Sequence, residues 1–413
     1  MSTKLYYTAF TCLSLLLLWE VQDLVKFHAL LPNGPRSDFS VYYFAAERVL
    51  SHPATLYEFE ATLNFAGYTY PPLSILLFIP FTLFDYYTAY ILFQFVSVIA
   101  LIVAIWCIIL ARQHVSPELR IDHRKYTLFA LLVLASGPAF STSVSGQVNS
   151  VVLALCLGAV VFGMRRQPLV GGTMLAFACW IKIYPVLLVV AMLGIKSQRT
   201  TALFSIAAGV LLPVMMLFLV PLVLYDHYFL QLLPVMGGKI VSDLSNQSIT
   251  ASAIRLSLPI DLWTTWVQID APRWARLLNA AILVAILAMF SFTRISRSFD
   301  SLLVILLALA FIPLIAPLGW GHSYLFTVPL VAYCAIYCER PAIRLVAGVA
   351  WFLLLVPAYS ILGPLQQFGT LVVGVLYFRY FLAAWAVISV AVVWAYSATE
   401  NRTVPAARAR AEE

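Results

Sequence analysis

The chain has 413 residues, of which 62% are hydrophobic and only 10% are charged. A soluble domain of this length needs a polar surface, so the composition excludes an ordinary soluble protein. The apolar residues form runs of about 18 or more, the length that crosses a hydrocarbon core. In a membrane protein the positions of the basic residues matter more than the net charge of +7, and we expect no nucleic-acid partner. The sequence therefore predicts an all-α, polytopic membrane protein.

Clusters of basic residues mark the cytoplasmic side of a membrane protein, so the number of crossings between two clusters must be even. The clusters lie at 112–125, 165–166, 196–199, 294–297, 340–344 and in the C-terminal tail. The first apolar run, 6–25, lacks a small-residue cleavage site and is interpreted as a retained helix rather than a signal peptide. With this rule both termini are cytoplasmic.

The segment after the first run carries an isolated carboxylate, Asp38, followed by an aromatic stretch. The apolar positions of this stretch follow helical spacing and predict an amphipathic helix at the outer interface. They are Phe39, Tyr42, Tyr43, Ala46, Val49 and Leu50. One interpretation of Asp38 is a functional carboxylate. The other is that it only caps this helix, since Asp is a favoured N-cap residue.

Residues 72–84 are apolar but number only 13. A helix of that length spans about 20 Å, which is too short to cross the membrane. If it did cross, the basic cluster at 112–125 would lie outside. We therefore predict an interfacial or re-entrant helix, entered through Tyr70-Pro71-Pro72, whose backbone is covered by protein or lines a cavity.

A second short segment, 168–195, lies between two basic clusters. Two crossings within its 28 residues would leave about 14 for each, which is again too few. A hairpin of short helices fits better, with Lys182, Tyr184 and Pro185 at its tip, because Pro185 breaks the helix. Lys182, with Tyr184 beside it, is a candidate for holding a phosphate or diphosphate. The alternative is a lysine that snorkels to water.

The remaining runs predict ten full spans, which with the hairpin make about 12 transmembrane helices. The spans are 6–25, 87–111, 126–141, 148–164, 201–224, 275–293, 301–318, 323–338, 345–361 and 371–397. The loops 26–86 and 225–274 then face outside and hold external interfacial helices. Residues 1–400 form one transmembrane domain, and the polar, Ala/Arg-rich segment 401–413 forms a disordered cytoplasmic tail.

Several polar side chains lie on the outer side of this topology, and such convergence in a membrane protein indicates a site. The candidate substrate-binding residues are Tyr42, Tyr70, Gln147, Asn149, Asn246 and Gln247. Gln147 and Asn149 share a tight turn, where their amides could bind sugar hydroxyls or cap the next helix. His322 lies at the outer end of a span, where it could transfer a proton, contact phosphate or make only structural hydrogen bonds.

The six cysteines all lie inside apolar runs. They are Cys12, Cys107, Cys156, Cys179, Cys334 and Cys338. Cys334 and Cys338 share a helix face but lack the His or acidic neighbours that would complete a metal site. We interpret the six as packing thiols and assign no metal ligand.

Six short motifs, taken in order, resemble glycosyltransferase family 87, a bacterial group with the C-type glycosyltransferase membrane fold. They are Asp38-Phe39-Ser40-Val41-Tyr42-Tyr43-Phe44-Ala45-Ala46, Tyr70-Pro71-Pro72-Leu73, Gly146-Gln147-Val148-Asn149, Ile181-Lys182-Ile183-Tyr184-Pro185, Asn246-Gln247-Ser248 and Trp320-Gly321-His322. Each motif is weak alone, and their order and approximate spacing carry the resemblance over most of the chain.

The resemblance implies an enzyme that moves a sugar, best known in the family as mannose, from a polyprenyl-phosphate donor to a lipid or glycan acceptor. It would work on the outer face of the bacterial cytoplasmic membrane, and we expect a monomer. Asp38 matches the family's proposed catalytic base, and the resemblance places Lys182 near the donor phosphate and His322 in the active site. A single displacement would invert the anomeric centre, with Asp38 as general base.

No second carboxylate accompanies Asp38 in a DxD-like pair, so we predict no cofactor and no obligatory metal. The main alternative function is a secondary transporter or a lipid flippase for glycolipid precursors, because broken helices and intramembrane charge also mark transporters. Against it, the sequence shows no internal repeat, and the polar residues cluster outside rather than at mid-depth. A polymerase or ligase of surface glycans is a third interpretation.

Overall fold

A computed structural model describes residues 3–30, 37–57, 67–115, 122–242, 245–259, 262–263, 268–293, 300–355, 376 and 378–411. The α-helices, in chain order, are α1 (Thr3–Leu30), α2 (Phe39–Ser51), α3 (Tyr86–Val115), α4 (His123–Leu134), α5 (Gly137–Ser145), α6 (Asn149–Met164), α7 (Pro168–Ile181), α8 (Val186–Gly194), α9 (Arg199–Met215), α10 (Leu222–Asp226), α11 (Leu233–Gly238), α12 (Ile249–Arg255), α13 (Arg273–Thr293), α14 (Ser301–Ile315), α15 (Val328–Tyr337), α16 (Pro341–Leu355) and α17 (Arg379–Ala411).

The other regular elements are short. Helices of the 3₁₀ type cover Pro53–Thr55, Pro72–Leu77, Ile79–Leu83 and Gly321–Phe326, and a π-helix covers His227–Leu232. Strands β1 (Lys239–Val241) and β2 (Gln268–Asp270) pair antiparallel, with Lys239 opposite Asp270. The predicted helical class is therefore confirmed.

Among the described helices, three are long and apolar enough to cross a membrane. They are Thr3–Lys26, Tyr86–Val115 and Arg273–Phe290. Other apolar helices contain only 10–17 residues, among them α6, α7, α9 and α14. The count of ten full spans is not established by these lengths and stays a prediction.

The predicted span 126–141 is wrong as a single helix. It consists of α4 and α5, which are bent by 50° relative to each other. The Ser136 hydroxyl accepts a 3.4 Å hydrogen bond from the backbone N–H of Ala139, and Pro138 occupies the first turn of α5. A capping serine followed by proline starts a new helix, which explains the break.

Other predicted span boundaries also move. The span 323–338 begins as the 3₁₀ helix Gly321–Phe326 and becomes α-helical only at α15, where Pro329 occupies the first turn. The span 201–224 ends as α9 at Met215, and α10 starts separately after Pro221. The predicted spans 345–361 and 371–397 reach into 356–375, outside the described residues.

The last helix, α17, continues to Ala411 and so runs through most of the segment predicted to be a disordered tail. Alanine and arginine both have high helix propensity. A composition that the sequence analysis took for disorder is therefore also compatible with a helical backbone.

The two short segments that the topology rule singled out are broken in the structure. Residues 72–84 form two 3₁₀ helices, each with a proline in its first turn. The predicted hairpin 168–195 consists of α7 and α8, separated at Lys182, whose backbone is extended (φ −139°, ψ 135°), and at Pro185. Their short helices are as predicted, while their depth in the bilayer stays a prediction.

The centre of the protein is built around α6, which packs against α3 and α7, while α7 also packs against α9. The C-terminal end of α3 is tied to its neighbours by a polar cluster. Arg112 donates a 2.6 Å hydrogen bond to the hydroxyl of Tyr333, which in turn donates to Asp300 at 3.1 Å. Asp300 also caps α14 through the backbone N–H of Leu302. The opposite end of α3, near Tyr86, carries the site.

Candidate active site

Asp38 immediately precedes α2, but its carboxylate makes no capping hydrogen bond with that helix. Its Oδ2 instead accepts a 2.7 Å hydrogen bond from Nε2 of Gln147. Asp85 provides the contrast, because its Oδ1 accepts hydrogen bonds at 3.1 Å from the backbone N–H groups of Tyr87 and Thr88 and so caps α3. The interpretation of Asp38 as a helix cap is therefore wrong.

Helix α2 is held by its buried aromatic face, as predicted. The Phe39 ring stacks on Phe93 at 4.9 Å and meets Phe81 edge-on at 5.9 Å. The one wrong position is Leu50, in the last turn of α2, which is 59% exposed. The packing at Phe39 fixes the start of α2 and with it the position of Asp38.

Gln147 is brought to Asp38 by a left-handed turn at Gly146 (φ 64°). A β-carbon at Gly146 would lie 2.7 Å from the Phe39 β-carbon and 2.8 Å from the Tyr90 ring. The turn therefore needs glycine both for its φ angle and for the close approach of α2. It ends α5 and starts α6 at Asn149.

The amide of Gln147 is oriented by two phenols. Its Oε1 accepts hydrogen bonds from the hydroxyls of Tyr42 at 2.8 Å and Tyr70 at 3.3 Å, and the two hydroxyls lie 2.7 Å apart. The carbonyl of the amide thus faces the hydroxyls and its NH₂ faces the carboxylate. Oδ1 of Asp38 receives no side-chain hydrogen bond within the described part of the chain.

Asp38 is exposed by its surface area, yet protein atoms crowd around its carboxyl group. Desolvation by burial raises the pKa of Asp38 above its ordinary value, while the hydrogen bond from Gln147 and the positive charge of Lys182 oppose the increase. A carboxylate with a raised pKa is a better proton acceptor than an ordinary aspartate.

Lys182 lies at the break between α7 and α8 and is only 7% exposed, so the snorkelling alternative is wrong. Its ammonium group donates a 2.6 Å hydrogen bond to Oδ1 of Asn149 and lies 5.4 Å from the centre of the Tyr70 ring. It also lies within electrostatic range of Asp38. No other hydrogen bond from this ammonium group is made to the described residues, which leaves it able to bind an anion.

Asn149 joins Lys182 to the turn that carries His322. Its Nδ2 donates a 2.9 Å hydrogen bond to the backbone carbonyl of His322, which also accepts a 3.3 Å bond from the Thr142 hydroxyl. Asn149 is fully buried and does not cap α6. Burial, with the charge of Lys182, lowers the pKa of His322 well below its ordinary value, so that its ring is neutral at neutral pH.

The structure does not bring the amide of Asn246 into this cluster. Its Nδ2 donates to the backbone carbonyls of Val241 and Pro317, both at 3.0 Å. Its Oδ1 accepts from the backbone N–H groups of Ser248 at 3.3 Å and Gly319 at 2.8 Å. Every polar atom of this side chain is thus used by backbone groups.

Gln247 is likewise used in the framework. Its Oε1 accepts hydrogen bonds from the backbone N–H groups of Tyr380 at 2.8 Å and Phe381 at 3.2 Å, which caps the N-terminus of α17. Its own backbone N–H donates a 2.8 Å bond to the carbonyl of Gly319. Asn246 and Gln247 therefore hold the turn that leads to His322.

Tyr184 has no hydrogen-bond partner among the described residues and lies within electrostatic range of Tyr70 and Tyr228. Near Tyr70 the structure gathers further tyrosines that were not predicted as site residues. The Tyr57 hydroxyl donates a 2.9 Å hydrogen bond to the Tyr70 carbonyl, and its ring lies 6.0 Å from Tyr68 and 5.8 Å from Tyr228. Their only sequence signal is that they occupy the two long loops predicted to face outside.

No group of three or more His, Cys, Asp or Glu side chains among the described residues could hold a metal ion. The six cysteines form no disulfide, and Cys334 and Cys338 are both buried.

A crowded carboxylate and a buried lysine, held by amides and phenols among apolar helices, form the kind of polar cluster that marks a membrane-embedded enzyme. A sequence model described as Glycosyltransferase family 87 matches residues 68–317, which is more than half of the chain. The chain belongs to glycosyltransferase family 87. The predicted family and enzyme class are thereby confirmed, and the transporter interpretation is set aside.

Three mycobacterial proteins are similar to this chain. A polyprenol-phosphate-mannose-dependent alpha-(1-2)-phosphatidylinositol pentamannoside mannosyltransferase of Mycobacterium tuberculosis is 27% identical over 356 residues, which cover 82% of this chain and 76% of the relative. A protein of the same description from Mycolicibacterium smegmatis is 27% identical over 74% of this chain and 70% of its own length. A phosphatidylinositol mannoside mannosyltransferase of M. tuberculosis is 24% identical over 72% and 69%.

The family match covers the middle of the site. It includes Tyr70, Gln147 and Lys182, whereas Asp38 precedes it and His322 follows it. The roles of these last two residues therefore rest on the geometry around them.

Proposed function

We propose that this protein transfers a mannosyl group from polyprenyl-phosphate mannose to a hydroxyl group of a lipid or glycan acceptor, with phosphatidylinositol mannosides as the first class to test. The donor and acceptor follow from the descriptions of the three relatives. The positive-inside rule supports catalysis on the outer face of a bacterial cytoplasmic membrane.

The observation that carries the proposal is that Asp38 and Lys182 lie within electrostatic range of each other, each held by an amide side chain from the same turn. Gln147 holds the carboxylate at 2.7 Å, and two residues along the chain Asn149 holds the ammonium group at 2.6 Å. A base and a cation within electrostatic range of each other suit displacement of a phosphate, because a proton is removed at one end while negative charge develops at the other.

In the proposed step, the acceptor oxygen attacks the anomeric carbon as the bond from that carbon to the phosphate oxygen breaks. The acceptor proton passes to Oδ1 of Asp38, and the electron pair of the broken bond leaves with polyprenyl phosphate. Because this is a single displacement, it inverts the anomeric centre. The buried ammonium group of Lys182 stabilises the charge on the leaving phosphate.

The other site residues take supporting roles in this proposal. The neutral ring of His322, within electrostatic range of Lys182, is assigned as a second hydrogen-bond donor to the phosphate. Tyr42 and Tyr70 orient Gln147 and thereby the base. We assign Asn246 and Gln247 to positioning the His322 turn rather than to direct contact with substrate, because backbone groups occupy both polar atoms of the Asn246 amide and Oε1 of Gln247.

The test is transfer of radiolabelled mannose from polyprenyl-phosphate mannose to phosphatidylinositol mannosides by the purified protein in lipid nanodiscs. Asp38→Asn keeps the size of the side chain but removes the base, so we expect turnover to fall roughly 100-fold or more. The matched control is Asp85→Asn, a nearby carboxylate that only caps α3, which should retain wild-type turnover. Equal turnover in wild type and Asp38→Asn would reject the assignment of the base.

A further inference from the structure

Tyr228 is a buried tyrosine whose hydroxyl has no hydrogen-bond partner among the described residues. The side chain is 3% exposed, and its ring packs 5.8 Å from that of Tyr57. Unlike the hydroxyl of Tyr225, which is fully enclosed, the hydroxyl of Tyr228 keeps some access to an incoming group. An accessible hydroxyl on an otherwise buried ring is able to donate a hydrogen bond to a ligand.

The backbone around Tyr228 supports this reading. Tyr228 lies in the π-helix His227–Leu232, which interrupts the path from α10 to α11. A π-helical turn is less favourable than an α-helical one and occurs frequently at functional sites, because the wider turn changes the direction of its side chains. The neighbouring His227 ring also packs on Tyr57, at 5.3 Å.

A continuous set of contacts leads from Tyr228 to the cluster of Asp38 and Lys182. Tyr57 contacts the Tyr228 ring and donates a 2.9 Å hydrogen bond to the Tyr70 carbonyl. The ring of Tyr70 lies 5.4 Å from the ammonium group of Lys182. The phenols of Tyr70 and Tyr184 are both within electrostatic range of Tyr228, and Tyr184 follows Lys182 by two residues in the break between α7 and α8.

We propose that Tyr228 and Tyr184 donate hydrogen bonds to hydroxyl groups of the transferred sugar. They would thereby determine which sugar-carrying donor the enzyme accepts. The inference rests on the proposed function. The sugar is bonded directly to the phosphate assigned to Lys182, so side chains packed around Lys182 and Tyr70 meet it first. Aromatic rings cover the apolar face of a pyranose, while phenol hydroxyls distinguish axial from equatorial hydroxyl groups.

The first experiment compares binding of polyprenyl-phosphate mannose with binding of polyprenyl phosphate, which has no sugar, to detergent-purified protein. Tyr228→Phe and Tyr184→Phe keep the rings and lose only the hydroxyls. We expect each to weaken binding of the mannosyl lipid about tenfold, the effect of one good hydrogen bond, with no change for the bare phosphate. Equal weakening of both ligands, or of neither, would overturn the proposal.

The second experiment measures the ratio of kcat/KM for polyprenyl-phosphate mannose to that for polyprenyl-phosphate glucose. We expect Tyr228→Phe to change this ratio about tenfold, whereas a purely structural role would lower both values equally. The control is Tyr225→Phe, whose hydroxyl is fully enclosed and so closed to a ligand, and whose ring packs on Trp180 at 5.7 Å; its ratio should stay at the wild-type value. A wild-type protein that binds the mannosyl lipid but transfers nothing would refute the proposed function while leaving the binding comparison decisive.

Discussion

At the scale of single residues, the proposed chemistry depends on the environment of Asp38. Burial raises its pKa, and both the amide of Gln147 and the charge of Lys182 lower it. A general base works only when deprotonated, so if Asp38 is the base we expect activity to rise with pH through its pKa. The hydrogen bond and the positive charge favour the ionised carboxylate and so offset part of the effect of burial, which favours the neutral acid.

The first prediction concerns pH. We expect the acid limb of the kcat/KM profile to lie above the ordinary range of an aspartate. In Gln147→Leu the limb should move to still higher pH, because a hydrogen bond that stabilises the charged form is lost. Rates measured between about pH 4 and pH 9 would show the shift. An acid limb that stays in place, or moves to lower pH, would contradict the assignment of Asp38 as the titrating base.

At the scale of elements, the turn between α5 and α6 is the part that assembles the site. Gly146 ends α5 in the left-handed conformation. Within the next three residues, the Gln147 amide binds the Asp38 carboxylate and the Asn149 amide binds the Lys182 ammonium group.

The second prediction is that Gly146→Ala destabilises the protein by about 1–3 kcal/mol, through backbone strain and overlap with α2.

Thermal unfolding in detergent, combined with transfer assays, measures this effect. Gly209→Ala is the matched control, since a β-carbon there meets nothing within 4 Å and alanine favours a helix. It should keep or slightly raise the Tm. If Gly146→Ala has the same Tm as Gly209→Ala and keeps full activity, the turn does not require glycine.

The loop of Asn246 and Gln247 acts on a different element, the start of α17. The third prediction is that Gln247→Met lowers stability by about 1 kcal/mol, as loss of a helix cap does, because two backbone N–H groups lose their acceptor. The KM for donor should stay near the wild-type value. Gln231→Met, at an exposed position, provides the control for stability. A large rise in KM without loss of Tm would restore Gln247 as a substrate-binding residue.

At the scale of the whole molecule, the sequence predicted the helical class, the family and the pair of short helices in 168–195, because long apolar runs and proline leave strong local signals. It predicted one short helix at 72–84, where the structure has two 3₁₀ helices. It failed at the break between α4 and α5, where one serine cap and one proline override an apolar run. It named Asp38, Gln147, Asn149 and Lys182 as candidates but could not show that they pair as they do. Tyr228 was not predicted as a site residue, because only the tertiary packing shows that its hydroxyl has no partner among the described residues.

The fourth prediction concerns metal ions and applies to the whole enzyme. In the proposed reaction the leaving group is a lipid monophosphate, and one buried lysine stabilises the charge that develops on it, so transfer should proceed without a divalent cation. Purified protein treated with EDTA should keep wild-type turnover in the mannose transfer assay. Loss of transfer that magnesium or manganese restores would contradict this.

The hydrogen bond from Gln147 has a consequence for the product. It occupies Oδ2 of Asp38, which leaves Oδ1 as the one carboxylate oxygen open to an incoming hydroxyl group. If Asp38 is the base, a polyol acceptor with many similar hydroxyls can present only one of them at a time to that oxygen. The linkage position would then be set by how the acceptor lies relative to a single atom, and the enzyme would make one regioisomer.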